Sequence, residues 1–408
     1  MQMRKTLQSI RKFLFVFVAC AVSAATAHAA STTKIVYSFA GGADGEYLDS
    51  DLVTDSAGNI YGSTVQGGTF GGGTVFEVTP AGVHTVLYNF TGGADGGEPY
   101  KGVTLDAHGN LYGTAVTGGG GSCEGGCGVV YKLANSAGTW TQSVIHTFTG
   151  GNDGSGPGSG VTFDKQGNLY GTTPTGGAKG QGVIYQLKPG AGGWSLHVIH
   201  TFTGGADGAG GSAGRLIFDA AGNIYGVATV GGVNGDGTVF ELSLTEGKWQ
   251  LKTLYAFKDQ PDGALPYGGL IFDKQGNLYG TTYYAGANDD GTVYKLTRGK
   301  TSWTETVLYS FKGGNDGSAP ISTLVSDAAG NLYGTTSDGG GGCGCGVIFK
   351  MTHNTNGSWT ESVPYRFTGA PAPGFAYNGM VVDSFGNFYG TTVHGGSTND
   401  GTVYKFTP

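Results

Sequence analysis

Three carboxylates lie close together near the start of the chain. Glu46, Asp49 and Asp51 fall within a span of six residues. A glycoside hydrolase needs two carboxyl groups about 5–9 Å apart, one to protonate the leaving group and one to attack or to activate water. No feature of the sequence identifies a carboxylate elsewhere that would act as the second catalytic group beside one of these three. The pattern therefore keeps a carbohydrate-active enzyme, either a glycoside hydrolase or a lyase, as the alternative function.

Tyrosines form a second candidate site, one that would bind a ligand without reacting with it. Tyr100, Tyr267 and Tyr377 each lie six residues before the Asp that ends a short apolar segment, and Tyr283 and Tyr284 follow an "LYGTT" segment. Exposed tyrosine rings stack on the faces of sugars because they combine an apolar body with a polar tip. Packing against neighbouring structural units is the other explanation of these tyrosines, and the sequence does not decide between the two.

Isolated charges accompany these tyrosines. Glu98, Lys101 and Arg215 lie in the same loop regions, and Arg215 is the candidate ligand contact among them. Single charged residues in loops are usually solvated. Together, however, they could line a polar pocket beside the tyrosines.

The phrase Gly-Gly-x-Asp-Gly is a candidate calcium site. It occurs at 41–45, 92–96, 150–154, 204–208 and 313–317, and a sixth loop keeps Asp262-Gly263. Calcium takes six to eight oxygen ligands, and each loop supplies only one carboxylate. An Asp that bonds the backbone of its own turn explains the same pattern. We expect the turn role and no cofactor, and calcium remains the alternative.

The elements that must position these residues come from a repeat. The motif Gly-Asn-aliphatic-Tyr-Gly occurs seven times, with spacings of 51 to 58 residues between its Asn positions. Each repeat has four short segments, here called a, b, c and d, that are rich in β-branched and aromatic residues and bounded by Gly and Asp turns. Such segments are typical of strands. The sequence predicts an all-β fold of seven four-stranded units.

The two ends of the repeat array predict how it closes. Residues 34–39, "KIVYSF", are a segment of type d without its a, b and c, and residues 401–406, "GTVYKF", are a segment of type c without its d. A solenoid would not require the first segment to complete the last unit, whereas a ring would. The prediction is a seven-bladed β-propeller over residues 31–408, closed by the N-terminal strand d pairing with the last blade.

Residues that recur in every unit are predicted to be structural. The Asp-x-x-Gly-Asn phrase is a turn between strands a and b. The Tyr of "LYG" and the aromatic residue of "GTVY" should pack between neighbouring blades, and all five tryptophans should be structural core residues. The Gly of "LYG" should leave room for the adjoining sheet.

Four cysteines follow residue 30, in two local pairs. Cys123 and Cys127 lie in "CEGGC", and Cys343 and Cys345 lie in "CGC". The pairs belong to units two and six, which are too far apart around a ring for a disulfide between them. Two local disulfides are expected in an oxidising compartment.

The first 30 residues have the features of a secretory signal peptide. Four basic residues precede an apolar stretch of about 15 residues, which ends in the cleavage pattern Ala27-His28-Ala29. This stretch is shorter than the roughly 20 residues that a membrane-spanning helix needs. We expect a secreted protein, extracellular or periplasmic, with no membrane span after cleavage.

Charge restricts the possible partners. Without the leader the chain has 18 Lys and Arg against 29 Asp and Glu, a net charge of −11. An acidic surface repels phosphate backbones, so a nucleic acid is not an expected partner. An extracellular glycan or a cell-surface protein is expected instead, and the chain is expected to be a monomer.

The repeat also resembles a known family. The unit "GNLYGTT…GG…GTVYKL", with "YSFTGGxDG" between units, is similar to the GloVer tandem repeat of secreted bacterial proteins, and the resemblance covers nearly the whole chain after residue 30. It implies an exported, propeller-shaped repeat protein of undefined biochemical role. The leading hypothesis is a noncatalytic binding scaffold, with a glycan or a surface protein held at the face that carries the d–a and b–c loops.

Overall fold

A ring of small sheets makes up the protein. The computed structural model describes residues 31–211 and 214–408, and the predicted signal peptide lies outside the described residues. Within these residues, 28 strands form seven antiparallel sheets of four strands each. The sheets are the blades of a seven-bladed β-propeller, which confirms the predicted fold.

Each blade uses its strands in the order a, b, c, d, and the first strand of the chain is β1, Thr32–Ser38. Blade 1 consists of β2 Val53–Thr54, β3 Ile60–Thr64, β4 Thr74–Val78 and β5 His84–Asn89. Blade 2 consists of β6 Val103–Leu105, β7 Leu111–Ala115, β8 Val129–Ser136 and β9 Thr139–Thr147. Blade 3 consists of β10 Thr162–Phe163, β11 Leu169–Thr173, β12 Val183–Gly190 and β13 Gly193–Thr201. Blade 4 consists of β14 Ile217–Phe218, β15 Ile224–Ala228, β16 Thr238–Thr245 and β17 Lys248–Ala256. Blade 5 consists of β18 Ile271–Phe272, β19 Leu278–Thr282, β20 Thr292–Arg298 and β21 Trp303–Ser310. Blade 6 consists of β22 Val325–Ser326, β23 Leu332–Thr335, β24 Val347–His353 and β25 Trp359–Arg366. Blade 7 contains β26 Val381–Val382, β27 Phe388–Thr392 and β28 Thr402–Thr407, together with β1.

Helical structure is confined to two short 3₁₀ turns, Gly42–Asp44 and Gly314–Asp316, in the described part of the chain. Neither these turns nor any other described segment forms a helix that is long and apolar enough to cross a membrane.

The ring closes as the sequence predicts. β1 pairs antiparallel with β28, from Thr32 opposite Thr407 to Ser38 opposite Thr402, and thereby supplies strand d of blade 7. Phe39, directly after β1, is fully buried and packs in one cluster with Phe76 of blade 1 and Val403 of blade 7. The first and last strands of the chain therefore share one blade.

Glycine in the "LYG" phrase serves a contact within the blade, and the prediction that it makes room for the adjoining sheet is wrong. In blade 3, Gly171 of strand b lies opposite Tyr185 of strand c, and a Cβ at Gly171 would overlap that ring. The same clash would occur between Gly113 and Tyr131 of blade 2. A side chain at this position must be absent because the large strand-c ring lies flat over strand b.

Tryptophan–tyrosine contacts join consecutive blades from blade 1 to blade 6. The tryptophan of strand d lies edge-on to the strand-b tyrosine of the preceding blade, with ring centroids 5.9 to 6.4 Å apart. The five pairs are Tyr61–Trp140, Tyr112–Trp194, Tyr170–Trp249, Tyr225–Trp303 and Tyr279–Trp359. Such pairs contribute about 0.5–1.5 kcal/mol beyond the area that they bury. All five tryptophans are thus structural.

The a–b turn holds strand b through the Asp that ends strand a. Asp164 Oδ1 accepts hydrogen bonds from the backbone amides of Gln166 and Asn168, both at 2.9 Å. Its Oδ2 accepts bonds from the Asn168 amide group at 2.7 Å and from the hydroxyl of Tyr170 at 3.0 Å. The turn therefore also orients the tyrosine that contacts the next blade, a link that the sequence did not reveal.

Both cysteine pairs form the predicted local disulfides. The Cα atoms of Cys123 and Cys127 are 5.1 Å apart, and those of Cys343 and Cys345 are 5.3 Å apart. Each disulfide lies against the first glycine of the following d–a loop, Gly150 in one case and Gly369 in the other. The two bridges hold equivalent b–c loops against equivalent d–a loops.

Candidate functional site

A group of tyrosines, here called the tyrosine crown, lies in the d–a and b–c loops, which share one face of the ring. It consists of Tyr47, Tyr100, Tyr267, Tyr283 and Tyr377. Tyr267 and Tyr283 make an edge-to-face contact with their ring centroids 5.6 Å apart. Tyr267 remains 38% exposed, so its ring is available to a ligand.

Electrostatic coupling connects the other members of the crown. The pKa of Tyr377 is raised by burial and by the neighbouring Tyr47, Asp338, Asp49 and Tyr283. The pKa of Tyr100 is raised by burial and by carboxylates that include Glu98 and Asp49. Four of the five tyrosines predicted from the sequence thus lie in neighbouring loops of the same face. Tyr284 is 49% exposed in its b–c loop, and within the described residues its ring makes no aromatic contact with the crown.

Tyr47 was not predicted, although the sequence contains a signal for its position. It lies eight residues before the Asp that ends strand a and has a φ of 60°. The equivalent residues of blades 3 and 4 are Gly156 and Gly211, which also have positive φ. Glycine at this position in two blades marks a left-handed backbone, and that backbone positions Tyr47 beside the channel.

Beneath the crown, charged and amide side chains form a network between blades. Lys101 Nζ contacts Asp49 Oδ1 at 3.4 Å and donates to Asn378 Oδ1 at 3.1 Å, while Asn378 Nδ2 donates to Asp49 at 2.8 Å. Burial opposes the charged form of Lys101, but Asp49 and Asp51 outweigh burial and raise the pKa of this amine. The three side chains come from blades 1, 2 and 7, so the network ties the seam of the ring together.

Arg215 spans several blades. From blade 4 its guanidinium donates to the carbonyls of Lys101 and Val103 at 3.0 and 2.9 Å, and to Thr104 Oγ1. It also donates to the Val161 carbonyl at 3.3 Å and pairs with Asp51 at 3.5 Å. These contacts commit its donors to blades 1, 2 and 3, which favours a structural role over the ligand contact expected from the sequence.

Replacing Arg215 by alanine should lower the free energy of unfolding by about 3 kcal/mol, because a half-buried carboxylate and several carbonyls lose their donor. Denaturant unfolding of the two proteins measures the difference. Arg366→Ala, a change at an exposed position, is the control and should cost less than about 0.5 kcal/mol. Equal stability of the two variants would contradict the structural role and return Arg215 to the ligand candidates.

Two of the three carboxylates that could support hydrolysis are already paired. Asp49 and Asp51 are engaged with Lys101 and Arg215 as described. Burial and neighbouring carboxylates raise the pKa of Asp236 and of Asp290, which lie in b–c loops. Burial, with added repulsion from Asp262 and Asp316 respectively, raises the pKa of Glu305 and of Glu361 to about 7. Both belong to strand d, at the outer edge of their blades. The two carboxyl groups whose pKa is raised to about 7 therefore lie on outer strands and not in the loops of the crown.

The Asp of each d–a loop bonds its own loop. Asp207 accepts from the Thr203 amide at 3.0 Å and from His200 Nε2 at 3.1 Å. Asp316 accepts from the Lys312 amide and the Tyr309 hydroxyl, both at 2.8 Å. These contacts favour the turn role of the Gly-Gly-x-Asp-Gly phrase. Among residues 31–211 and 214–408, no three His, Cys, Asp or Glu side chains are placed to hold a metal ion.

Two histidines replace tyrosine in this contact. His146 and His200 occupy the strand-d position that is tyrosine in the other blades with such a loop, and they pair with Asp153 and Asp207. Burial lowers the pKa of both imidazoles, although the Asp partner opposes that shift. Their role is to fasten a loop.

The comparisons with known proteins agree with the fold. A protein from Lactobacillus plantarum has a TM-score of 0.55 at 14% identity, over 86% of this chain and 99% of that one. The extracellular domain of a candidate one-component system from B. thetaiotaomicron scores 0.54 at 10% identity, over 90% of this chain and 39% of that one. A candidate 6-phosphogluconolactonase from Bacteroides uniformis scores 0.52 at 14% identity, over 77% and 84%. At these identities the similarity concerns the fold alone.

Sequence comparison identifies the family. No curated protein matches the chain. The family model of the Gloeobacter/Verrucomicrobia repeat, however, matches three overlapping stretches, residues 23–217, 120–313 and 212–408. Since these matches cover almost the whole chain, the protein belongs to the Gloeobacter/Verrucomicrobia repeat family.

Proposed function

We propose that the protein is a noncatalytic, exported binding propeller that holds a glycan at the tyrosine crown. The observation that supports this most directly is the edge-to-face pair of Tyr267 and Tyr283, with Tyr267 exposed beside the channel. A ring held edge-on by its neighbour loses little conformational freedom when a sugar stacks on it.

The charge distribution supports a neutral or weakly charged ligand at this face. The cations nearest the crown, Lys101 and Arg215, are paired with Asp49 and Asp51. These pairs reduce the attraction of the crown for a phosphate, and the net charge of −11 without the first 30 residues opposes a nucleic acid. The same pairing occupies Asp49 and Asp51, two of the three carboxylates that a glycoside hydrolase could use. Hydrolysis is therefore the weaker alternative, and binding is the proposal.

Export is part of this proposal. The predicted signal peptide and the two disulfides fit a protein that works outside the cytoplasm, in the periplasm or beyond the cell. That is also where polysaccharides are available as ligands.

Tyr267→Ala should weaken retention on a bound polysaccharide by on the order of tenfold, because it removes an exposed aromatic contact. The melting temperature should stay within about 2 °C, since the ring is partly exposed. The experiment passes the chain from Ser31 over immobilised polysaccharides and assays the eluate for new reducing ends. Phe385→Ala, at an 84% exposed ring in an a–b turn on the opposite face, is the control.

Each outcome bears on the proposal. Loss of retention with Tyr267→Ala but not with Phe385→Ala supports it. A ligand-binding role for this ring is contradicted if Tyr267→Ala is retained as the parent chain is on every polysaccharide tested, or if its melting temperature falls strongly. New reducing ends would replace the proposal with the enzyme alternative.

A further inference from the structure

The face opposite the crown carries two grooves between blades. The larger, here called groove 1, lies between blades 3 and 4 and encloses about 1090 Å³. The smaller, groove 2, lies between blades 5 and 6 and encloses about 400 Å³. Both are formed where the a–b turns of two consecutive blades face each other.

The sequences of these turns explain where the grooves occur. Blades 3 and 5 have the turn "DKQGN", and blades 4 and 6, which follow them, have "DAAGN". One wall of each groove therefore carries a lysine and a glutamine, whereas the other carries only two alanines. The small alanine side chains leave the space between the blades open. This combination occurs twice in the chain, at the same two blade interfaces as the grooves.

Groove 1 has an aromatic floor. Trp249 lies edge-on to Tyr170 at 6.3 Å, and Phe218 lies edge-on to the same tyrosine at 5.1 Å. Tyr170 is fixed from below by the Asp164 carboxylate, which accepts its hydroxyl at 3.0 Å. Leu244, 57% exposed, contributes an apolar rim. The rings are thus held in position before any ligand arrives.

The polar groups of groove 1 balance in charge. Lys165 and Lys188 line it together with Asp164 and Asp219, and Gln166 and His197 add further donors and acceptors. Lys165 Nζ reaches across the groove to the carbonyl of Ala220 at 3.4 Å. A site with fixed aromatic rings and alternating donors and acceptors, but without net charge, suits a ligand with many hydroxyl groups and no charge.

We propose that groove 1 is a binding site for a neutral saccharide chain, separate from the crown and on the other face. Its volume lies at the upper end of the range of ligand clefts, which is enough for more than one sugar ring. The proposal does not depend on the function of the crown, because it shares no residue with it.

Groove 2 repeats the design with less room. Its Trp359 is covered by His353, with the rings 4.6 Å apart, and Lys295 lies over Tyr279 at 5.3 Å. In groove 1 the residue opposite the tryptophan in the c–d hairpin is Leu244 instead of His353. The tryptophan of groove 2 is therefore less available, and groove 1 is expected to bind more tightly.

Ala221→Phe tests the proposal without removing any floor residue. The position is exposed in its turn, and the equivalent residue of blade 7 is naturally Phe385, so the turn accepts a phenyl ring. The matched control is Ala57→Phe, the same change in the blade 1 turn, which lines neither groove. The measurement is affinity electrophoresis of the folded chain in gels that contain a soluble β-glucan, a xylan or a galactomannan.

The expected result is that at least one of these polymers retards the chain. Ala221→Phe should then weaken the apparent affinity at least about tenfold, because its ring fills the cleft, whereas Ala57→Phe should leave it unchanged. A polymer that Ala221→Phe releases should still retard a Tyr267→Ala chain, whereas a polymer held at the crown should respond to Tyr267→Ala and not to Ala221→Phe. The proposal is overturned if none of the polymers retards the chain, or if Ala221→Phe migrates as the parent chain does.

Discussion

A chain that begins at Ala40, and so lacks β1, should lose the cooperative unfolding of the closed ring. Blade 7 would keep three strands, and β28 would become an exposed edge along its whole length. The buried ring of Phe39 would also be lost, which alone is worth about 3–5 kcal/mol in a core. Since a whole domain is stable by only about 5–15 kcal/mol, the shortened chain should be largely unfolded at 37 °C.

Circular dichroism and denaturant titration measure this loss. The control is a synthetic peptide of residues 31–39, added in trans, which should pair with β28 and restore part of the stability in proportion to its concentration. A shortened chain that unfolds as cooperatively as the complete one, with or without the peptide, would show that β1 does not hold the ring.

Replacing three buried tyrosines by phenylalanine should make the protein more stable. The hydroxyls of Tyr185, Tyr294 and Tyr404 are buried and have no hydrogen-bond partner within residues 31–211 and 214–408. A buried hydroxyl without a partner costs about 1–3 kcal/mol, and blades 1, 4 and 6 already carry phenylalanine at this strand-c position. The triple variant should gain roughly 3 kcal/mol or more in denaturant unfolding.

The control for this prediction is a tyrosine whose hydroxyl is used. Tyr170→Phe removes the bond to Asp164 at 3.0 Å and should lower the free energy of unfolding by about 1 kcal/mol. If the triple variant is no more stable than the parent chain, these hydroxyls have partners that offset their burial, and the physical argument fails.

The fold could be predicted because the repeat unit that specifies one blade occurs seven times in the sequence. Recurring segments showed the blades, and the unmatched segments at 34–39 and 401–406 showed how the ring closes. Residues that recur from unit to unit could be recognised as structural, and these include the five tryptophans. The fit of Gly171 against Tyr185 was misjudged because the register of strands b and c has to be known before the contact can be seen.

The candidate site was harder to predict, since it is built from residues that differ between units. Arg215 contacts residues more than 100 positions away in sequence, and nothing local shows that its donors are occupied. Tyr47 was overlooked because its position depends on a left-handed backbone and not on the period of strand a. Residues that differ between repeat units can be identified in the sequence. Which of them contact one another depends on the geometry of the closed ring.

The tryptophan–tyrosine contacts have an unequal distribution around the ring. They join blades 1 through 6, whereas the strands d of blades 1 and 7, β5 and β1, contain no tryptophan. Blade 7, which holds both chain ends, therefore lacks this contact on each side. If two rings open at high concentration, the β1 of one copy fits the vacant edge of the other, and exchange between copies is confined to that blade. Exchange of β1 between two opened rings would therefore give a strand-swapped dimer, in which six blades of each copy remain unchanged.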